Sequence, residues 1–285
     1  MSIVYLNGNY IPMNEARISP MDRGFLFGDG IYEVIPSYDG KLVGLALHLK
    51  RMQDGLNAIE IDLQIDYERW QDIALQLIAR NGSGNLGLYF QISRGADTKR
   101  DHAYPDKVQP TVFVFAYEIP PASKADKNSA IPLSVVTAKD LRWQRCNIKS
   151  TSLLGNVMHY QQSQPGGHSE TILYNDAHEI TEASKSNVYV IKNGIVATPL
   201  LDNQKLPGVT RKTLLEILYR DGNIAVEERI VALAELKDAD EVWLSNSTRG
   251  LIPVTAVNEK PVADGKIGDV WLAAQTLYAT HKFDL

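Results

Sequence analysis

The chain has 285 residues, 44% hydrophobic and 22% charged, more than one small core organises and too few for an extended array, so two domains are expected. A formal net charge of -5 without any lysine- or arginine-rich block excludes the footprint of a nucleic-acid binder and points to small-molecule ligands. The one cysteine, Cys146, rules out an intrachain disulfide; with no signal-peptide pattern at the start and no apolar run near the ~18 residues that cross a bilayer, a cytoplasmic protein without membrane contact is expected.

Strand-like runs come first: Ile3 to Leu6 ahead of an Asn7-Gly8 turn, then Ile31 to Ser37 and Lys41 to Leu45 on either side of Tyr38-Asp39-Gly40. Between them, Gly28-Asp29-Gly30 lacks the third glycine of a dinucleotide fingerprint and reads as a plain turn. Helical periodicity follows from His48 to Ile59, with Leu49, Met52, Leu56 and Ile59 on one face, and from Tyr67 to Ala79, closed by Asn81-Gly82. Strands resume at Leu86 to Ile92 and Thr111 to Tyr117.

From Glu118 to Pro132 the sequence turns polar and proline-rich, as domain linkers do. The expected division is therefore a domain over residues 1–118, a linker over 119–132 and a second domain over 133–285. The second half predicts strands at Leu133 to Ala138, Glu170 to Tyr174, Val188 to Lys192 and Glu241 to Ser245. Its helices are expected near Leu153 to Gln162, Val209 to Arg220 and Asp269 to Thr280. Without a regular βαβ rhythm, the pattern is that of an α+β protein.

The six histidines show no metal-ligand spacing, so no metal site is expected. No G-x-S-x-G elbow occurs either. Among the lysines, spacing alone selects none, since a lysine is usually a solvated charge.

Four separated segments are more specific: Arg23-Gly-Phe-Leu-Phe-Gly-Asp-Gly-Ile-Tyr-Glu-Val34, Arg142-Trp-Gln-Arg-Cys-Asn-Ile-Lys-Ser150, Thr181-Glu-Ala-Ser-Lys-Ser-Asn187 and Leu206-Pro-Gly-Val-Thr-Arg211. In this order they resemble the fold-type IV pyridoxal-phosphate enzymes, over nearly the whole chain and most closely the D-amino acid transaminase branch. The resemblance implies a smaller N-terminal α/β domain, a larger C-terminal pseudo-barrel domain and pyridoxal 5'-phosphate as cofactor. It implies that Lys149 binds the cofactor aldehyde, a role suited to a lysine whose burial near other cations favours the neutral amine. Arg142 and Arg145 could supply that charge, or simply frame a strand at the surface.

The resemblance further implies that Glu182 faces the pyridine nitrogen and keeps the ring protonated. Phosphate contacts are implied for Arg51, for Leu206, Val209 and Thr210 at a helix start, and for Ser247 in the loop Ser245 to Pro253. In that loop, Arg249-Gly250 departs from the family pattern, and Arg249 reads equally as a surface charge or a ligand contact. Arg100 and His102, in the segment Arg94 to Pro105, match the Arg-x-His pair that, with Tyr32, would trap a substrate carboxylate. A carboxylate clamped on one side fixes which face of the α-carbon meets the cofactor, which implies D-amino acids.

The activity implied is ping-pong transfer of an amino group between a D-amino acid and a 2-oxo acid, in a homodimer whose loops complete each other's sites. Aminodeoxychorismate lyase-type elimination and branched-chain L-amino acid transamination are the alternatives on the same fold.

Overall fold

The computed structural model describes residues 2–82 and 84–284, in two compact units. One runs to Pro121 and takes in Ile148–Leu153; the other comprises Ala122–Asn147 and Leu154–Asp284.

The first unit is built from β1 (Ile3–Leu6), β2 (Asn9–Pro12), a short helix α1 (Arg23–Phe27), β3 (Gly30–Tyr38), β4 (Lys41–Leu42), α2 (Leu45–Ala58), α3 (Tyr67–Asn81), β5 (Leu86–Ser93) and β6 (Thr111–Glu118). Its six strands form one antiparallel sheet in the order β2-β1-β6-β5-β3-β4. Strand side chains alternate between faces. Ile31, Ile35, Leu88, Phe90, Ile92, Val112 and Val114 accordingly share a core with Leu49, Met52 and Leu56 of α2 and Trp70, Ile73 and Leu77 of α3.

The helix expected from His48 begins earlier, at Leu45, because Gly44 takes the left-handed conformation (φ 62°) and caps it, which cuts the strand expected over Lys41 to Leu45 to two residues. The helix α1 was not expected. Asp22 starts it by accepting from the Gly24 amide, and Gly28 ends it with φ 66°.

The second unit contains β7 (Leu133–Lys139), α4 (Leu154–Ser163), β8 (Glu170–Tyr174), β9 (Ile180–Ala183), β10 (Asn187–Lys192), β11 (Ile195–Pro199), α5 (Val209–Asp221), β12 (Val226–Arg229), β13 (Glu241–Asn246), β14 (Gly250–Val257), β15 (Lys260–Pro261) and α6 (Asp269–His281). Nine strands make a mixed sheet, β12-β11-β10-β13-β14-β7-β8-β9, with β15 on β14. The sheet curls: Ile180 donates to the Val231 carbonyl and Glu179 bridges Ala232, while β9 turns directly into β10.

The period of two again sorts the side chains. Val188 and Val190 join the interior with Val135, Ile172, Val242 and Leu244, whereas Tyr189 and Ile191 pack outward with Trp243 against Leu214, Leu218 and Trp271 of α5 and α6. The loop expected over Ser245 to Pro253 shrinks to Ser247–Arg249. Pro253 disfavours a strand, but Leu251, Ile252 and Val254 are all buried and their packing overrides it. No helix among the described residues is long and apolar enough to cross a membrane.

Candidate active site

Lys149 lies in the segment Ile148–Leu153, which packs alongside the start of β3. Tyr32 donates its amide to the Lys149 carbonyl at 2.9 Å, Thr151 donates to the Gly30 carbonyl at 2.9 Å, and Ser150 bridges Ile31. Thr151 and Ser152 hydroxyls donate to the Gly28 carbonyl at 3.0 and 3.1 Å. A Cβ on Gly28 would stand 2.3 Å from Ser152 Oγ, and one on Gly30 would stand 2.6 Å from the Ile92 carbonyl oxygen. The Gly28-Asp29-Gly30 turn is thus the seat of the lysine segment.

Lys149 Nζ sits 4.2 Å from the centroid of the Tyr32 ring, and no side chain among the described residues accepts a hydrogen bond from it. Tyr32 in turn stacks on Tyr89 with centroids 5.5 Å apart.

The next residue of β3, Glu33, is fully buried. It accepts from Arg51 Nε and Nη2, both at 2.7 Å, and faces His48 Nδ1 at 2.7 Å. Burial alone would raise the Glu33 carboxyl, but Arg51 and His48 hold it far below the carboxylate range. Burial lowers His48, against the pull of Glu33. Arg51 and Lys149 thus belong to one unit, and Arg51 is aimed by a fixed carboxylate.

Arg100 and His102 are exposed in an irregular loop. Both rest on Phe27, with the Arg100 guanidinium 5.0 Å and the His102 ring 5.4 Å from its centroid. Within one chain the structure does not bring them onto Tyr32 among the described residues.

In the second unit, Glu182 on β9 is buried, accepts from Arg142 Nη1 and accepts from the Leu206 amide at 2.9 Å. Arg142 also donates Nε and Nη2 to Asp140 at 3.0 and 2.7 Å, and Asp140 accepts from the Thr181 hydroxyl at 2.8 Å. Arg142 is therefore no surface charge; it remains protonated in this cage, while Arg145 is exposed. Burial pushes the Glu182 carboxyl up, although Arg142 pulls the other way, and the carboxylate becomes a stronger hydrogen-bond acceptor.

Helix α5 starts after Gly208, and no side chain caps it, leaving the buried Val209 and Thr210 at a bare N-terminus. Asn187 donates to the Leu206 carbonyl at 3.0 Å, and a Cβ on Gly208 would fall 2.0 Å from Asn187 Oδ1. Ser247 is half-buried in the β13–β14 turn, whose shape is set by Asn246: its Oδ1 accepts from the Arg249 amide at 3.0 Å, and its Nδ2 donates to Ser186 at 3.1 Å. Arg249 donates to the Ile131 carbonyl at 3.3 Å.

The sequence reading missed the caging role of Asp140 and the packing roles of Asn187 and Gly28. Only the short spacing Asp140-x-Arg142 could have hinted at the first. No group of three or more histidine, cysteine, aspartate or glutamate side chains is placed to hold a metal among the described residues.

An antiparallel sheet with helices on one face and a curled mixed sheet backed by two helices make up the fold of known aminotransferases. Escherichia coli branched-chain amino acid aminotransferase matches with a TM-score of 0.90 at 20% identity, over 98% of this chain and 94% of its own. The branched-chain aminotransferase of the thermophilic archaeon Thermoproteus uzoniensis, solved with norvaline, matches with a TM-score of 0.86 at 20% identity, over 99% of this chain and 95% of its own. The chain belongs to the class IV aminotransferases, whose family model matches residues 30–257. Among named relatives, the D-alanine aminotransferase of Staphylococcus haemolyticus is 37% identical over 273 residues, covering 95% of this chain and 94% of that protein. That of Listeria innocua is 35% identical over 271 residues, covering 94% and 91%.

Proposed function

We propose that this aminotransferase moves the amino group between a D-amino acid and a 2-oxo acid in a ping-pong cycle, with pyridoxal 5'-phosphate carried on Lys149. The observation that carries the reading is Lys149 Nζ, half-buried over Tyr32 with no hydrogen-bond acceptor among the described residues, in a chain whose full-length relatives are named D-alanine aminotransferases.

The residues present fit the cofactor. A phosphate needs donors, which in the second unit the uncapped α5 amides of Val209 and Thr210 and the Ser247 turn offer, and the resemblance to the family adds Arg51 of the first unit. A pyridine nitrogen needs a buried acceptor, which Glu182 supplies from its cage with Leu206 at its other oxygen. When bound, the cofactor supplies an electron sink for the pair left as the substrate Cα–H bond breaks. Lys149 Nζ is the group that would take that proton as general base. Tyr32 holds the amine beside the ring face, and Arg142 keeps Glu182 in place throughout. Arg100, His102 and Tyr32 clamp the substrate carboxylate and so select the D-hand.

The clamp is completed in a homodimer, in which the loop of one protomer serves its partner's site. Two features support this: among the described residues Arg100 and His102 do not meet Tyr32 in their own chain, and the sheet face away from α2 and α3 carries a partly exposed aromatic row, Tyr32, Tyr89, Phe115 and Tyr117. We assign residues 119–132 as the linker between the domains 1–118 and 133–285, with Ile148–Leu153 returning to pack in the first, and the cytoplasm as the site of action.

Visible spectra of the purified enzyme with D-alanine or L-alanine, without acceptor, test the assignment. Conversion to the pyridoxamine form by the D-isomer alone is expected. Conversion by the L-isomer alone would transfer the chain to the branched-chain activity, and conversion by neither would refute D-alanine as a donor.

A further inference from the structure

The segment Ala96–Pro110 has no helix or strand of its own, and such a loop holds a defined shape only if its backbone polar groups find partners. Its neck is closed by Gly95, whose φ of 105° and whose missing Cβ, which would lie 2.0 Å from the Gln109 carbonyl oxygen, admit only glycine. Asp22 bridges Ala96, and the Arg23 amide donates to the Gly95 carbonyl at 2.9 Å.

The far end of the loop is held by α1. Arg23 is buried and donates to three successive carbonyls, those of Asp101 at 2.6 Å, His102 at 3.3 Å and Ala103 at 3.2 Å. Its Nε donates to Asp29 Oδ2 at 2.7 Å, and Arg94 grips the same carboxylate at 2.8 and 3.0 Å. Burial alone would raise Asp29, but the two guanidiniums keep it below the usual carboxylate range. Arg94 stacks its guanidinium 3.6 Å from the Tyr104 centroid. One helical turn on from Arg23, the Phe27 ring carries Arg23 at 4.8 Å, Arg100 at 5.0 Å and His102 at 5.4 Å.

Arg100 itself pairs with no acidic side chain among the described residues. Its charge is therefore oriented by an aromatic face, which leaves its N–H edge uncommitted. We propose that Arg23 and Phe27 of α1 are the positioning residues of substrate-carboxylate recognition, Arg23 fixing the loop backbone and Phe27 the Arg100 and His102 side chains. This rests on the clamp reading of Arg100 and His102 given above. The pair sets how well the carboxylate is bound and which hand is accepted, and takes no part in proton transfer.

Steady-state kinetics of the holoenzyme with D-alanine test this, using Phe27→Leu, Phe27→Tyr, Arg23→Lys and, as the reference for the clamp itself, Arg100→Ala. Phe27→Leu keeps apolar volume but removes the ring face, so KM should rise about tenfold with kcat changed less than about twofold. Phe27→Tyr should restore KM. Arg23→Lys, which loses the fork but keeps the charge, should raise KM and lower the D-to-L rate ratio. Melting temperature and cofactor absorbance should stay at wild-type values in Phe27→Leu; if kcat, cofactor content and stability fell as KM rose, the role would be merely structural and the proposal overturned. An unchanged KM in Phe27→Leu alongside a raised KM in Arg100→Ala would overturn the positioning role alone. An unchanged KM in Arg100→Ala would remove the clamp and the proposal with it.

Discussion

Replacing Glu33 by glutamine puts an amide where Arg51 and His48 now meet a carboxylate at three contacts of 2.7 Å. The carboxylate is fully buried and the Arg51 side chain is only 10% exposed, so solvent cannot replace the lost charge. Breaking one partner of such a buried pair costs ~3–5 kcal/mol. Because the amide oxygen still accepts one bond, the lower end, about 3 kcal/mol, is expected. In urea unfolding at pH 7, with a slope of roughly 3 kcal/mol/M, the midpoint should fall by about 1 M.

The pH dependence has a definite sign. The folded Glu33 carboxyl lies below its ordinary 4.5, so its contribution is complete above that value and is lost as pH falls through the folded one. The gap between wild type and variant should therefore narrow below about pH 4.5. Glu33→Gln combined with Arg51→Met should recover most of the loss, since no buried charge is then left alone. A single-variant loss under ~1 kcal/mol, or a gap unchanged from pH 7 to 3, would refute the reasoning.

Gly208→Ala should weaken cofactor binding about tenfold by forcing the α5 start off Asn187, and adding Asn187→Ala should recover part of it; fluorescence titration of the apoenzyme measures both. Cys146, pushed up to about 11 mainly by burial, should resist a thiol reagent at pH 8 in the native state and yield one thiol per chain in denaturant. Mixing Lys149→Ala with Arg100→Ala/His102→Ala chains, then exchanging subunits, should regenerate about a quarter of wild-type activity, because half of each mixed dimer is intact. No regained activity would argue that each chain's loop serves its own site.

The strongly periodic elements were legible in the sequence. Strands β3, β5 and β6 and helices α3 and α5 lie where apolar spacing puts them, because each buries an apolar face, and β10 reads as a continuous apolar run because both of its faces are buried. Helix α1 was hidden because five residues hold too little periodicity, and β14 because Pro253 masks a run whose burial outweighs its propensity. Of the site, only the phosphate contacts at the start of α5 had a physical reading beside the resemblance, the positive end of a helix, whereas Lys149, Glu182, Arg51, Arg100 and His102 came from resemblance to a family. Two of their partners, Glu33 for Arg51 and Phe27 for Arg100, were not legible, since long-range pairing leaves no local pattern, and Asp140 for Arg142 had only the spacing Asp140-x-Arg142 to show it.

The return of Ile148–Leu153 to the first unit bears on how the chain is made. A ribosome that has emitted residues up to Pro121 has released every strand of the first sheet, yet Tyr32 and Gly30 still lack the Lys149 and Thr151 partners they hold in the finished protein. The first unit is finished only after about thirty further residues emerge, so its last step of folding during synthesis is also the step that seats Lys149.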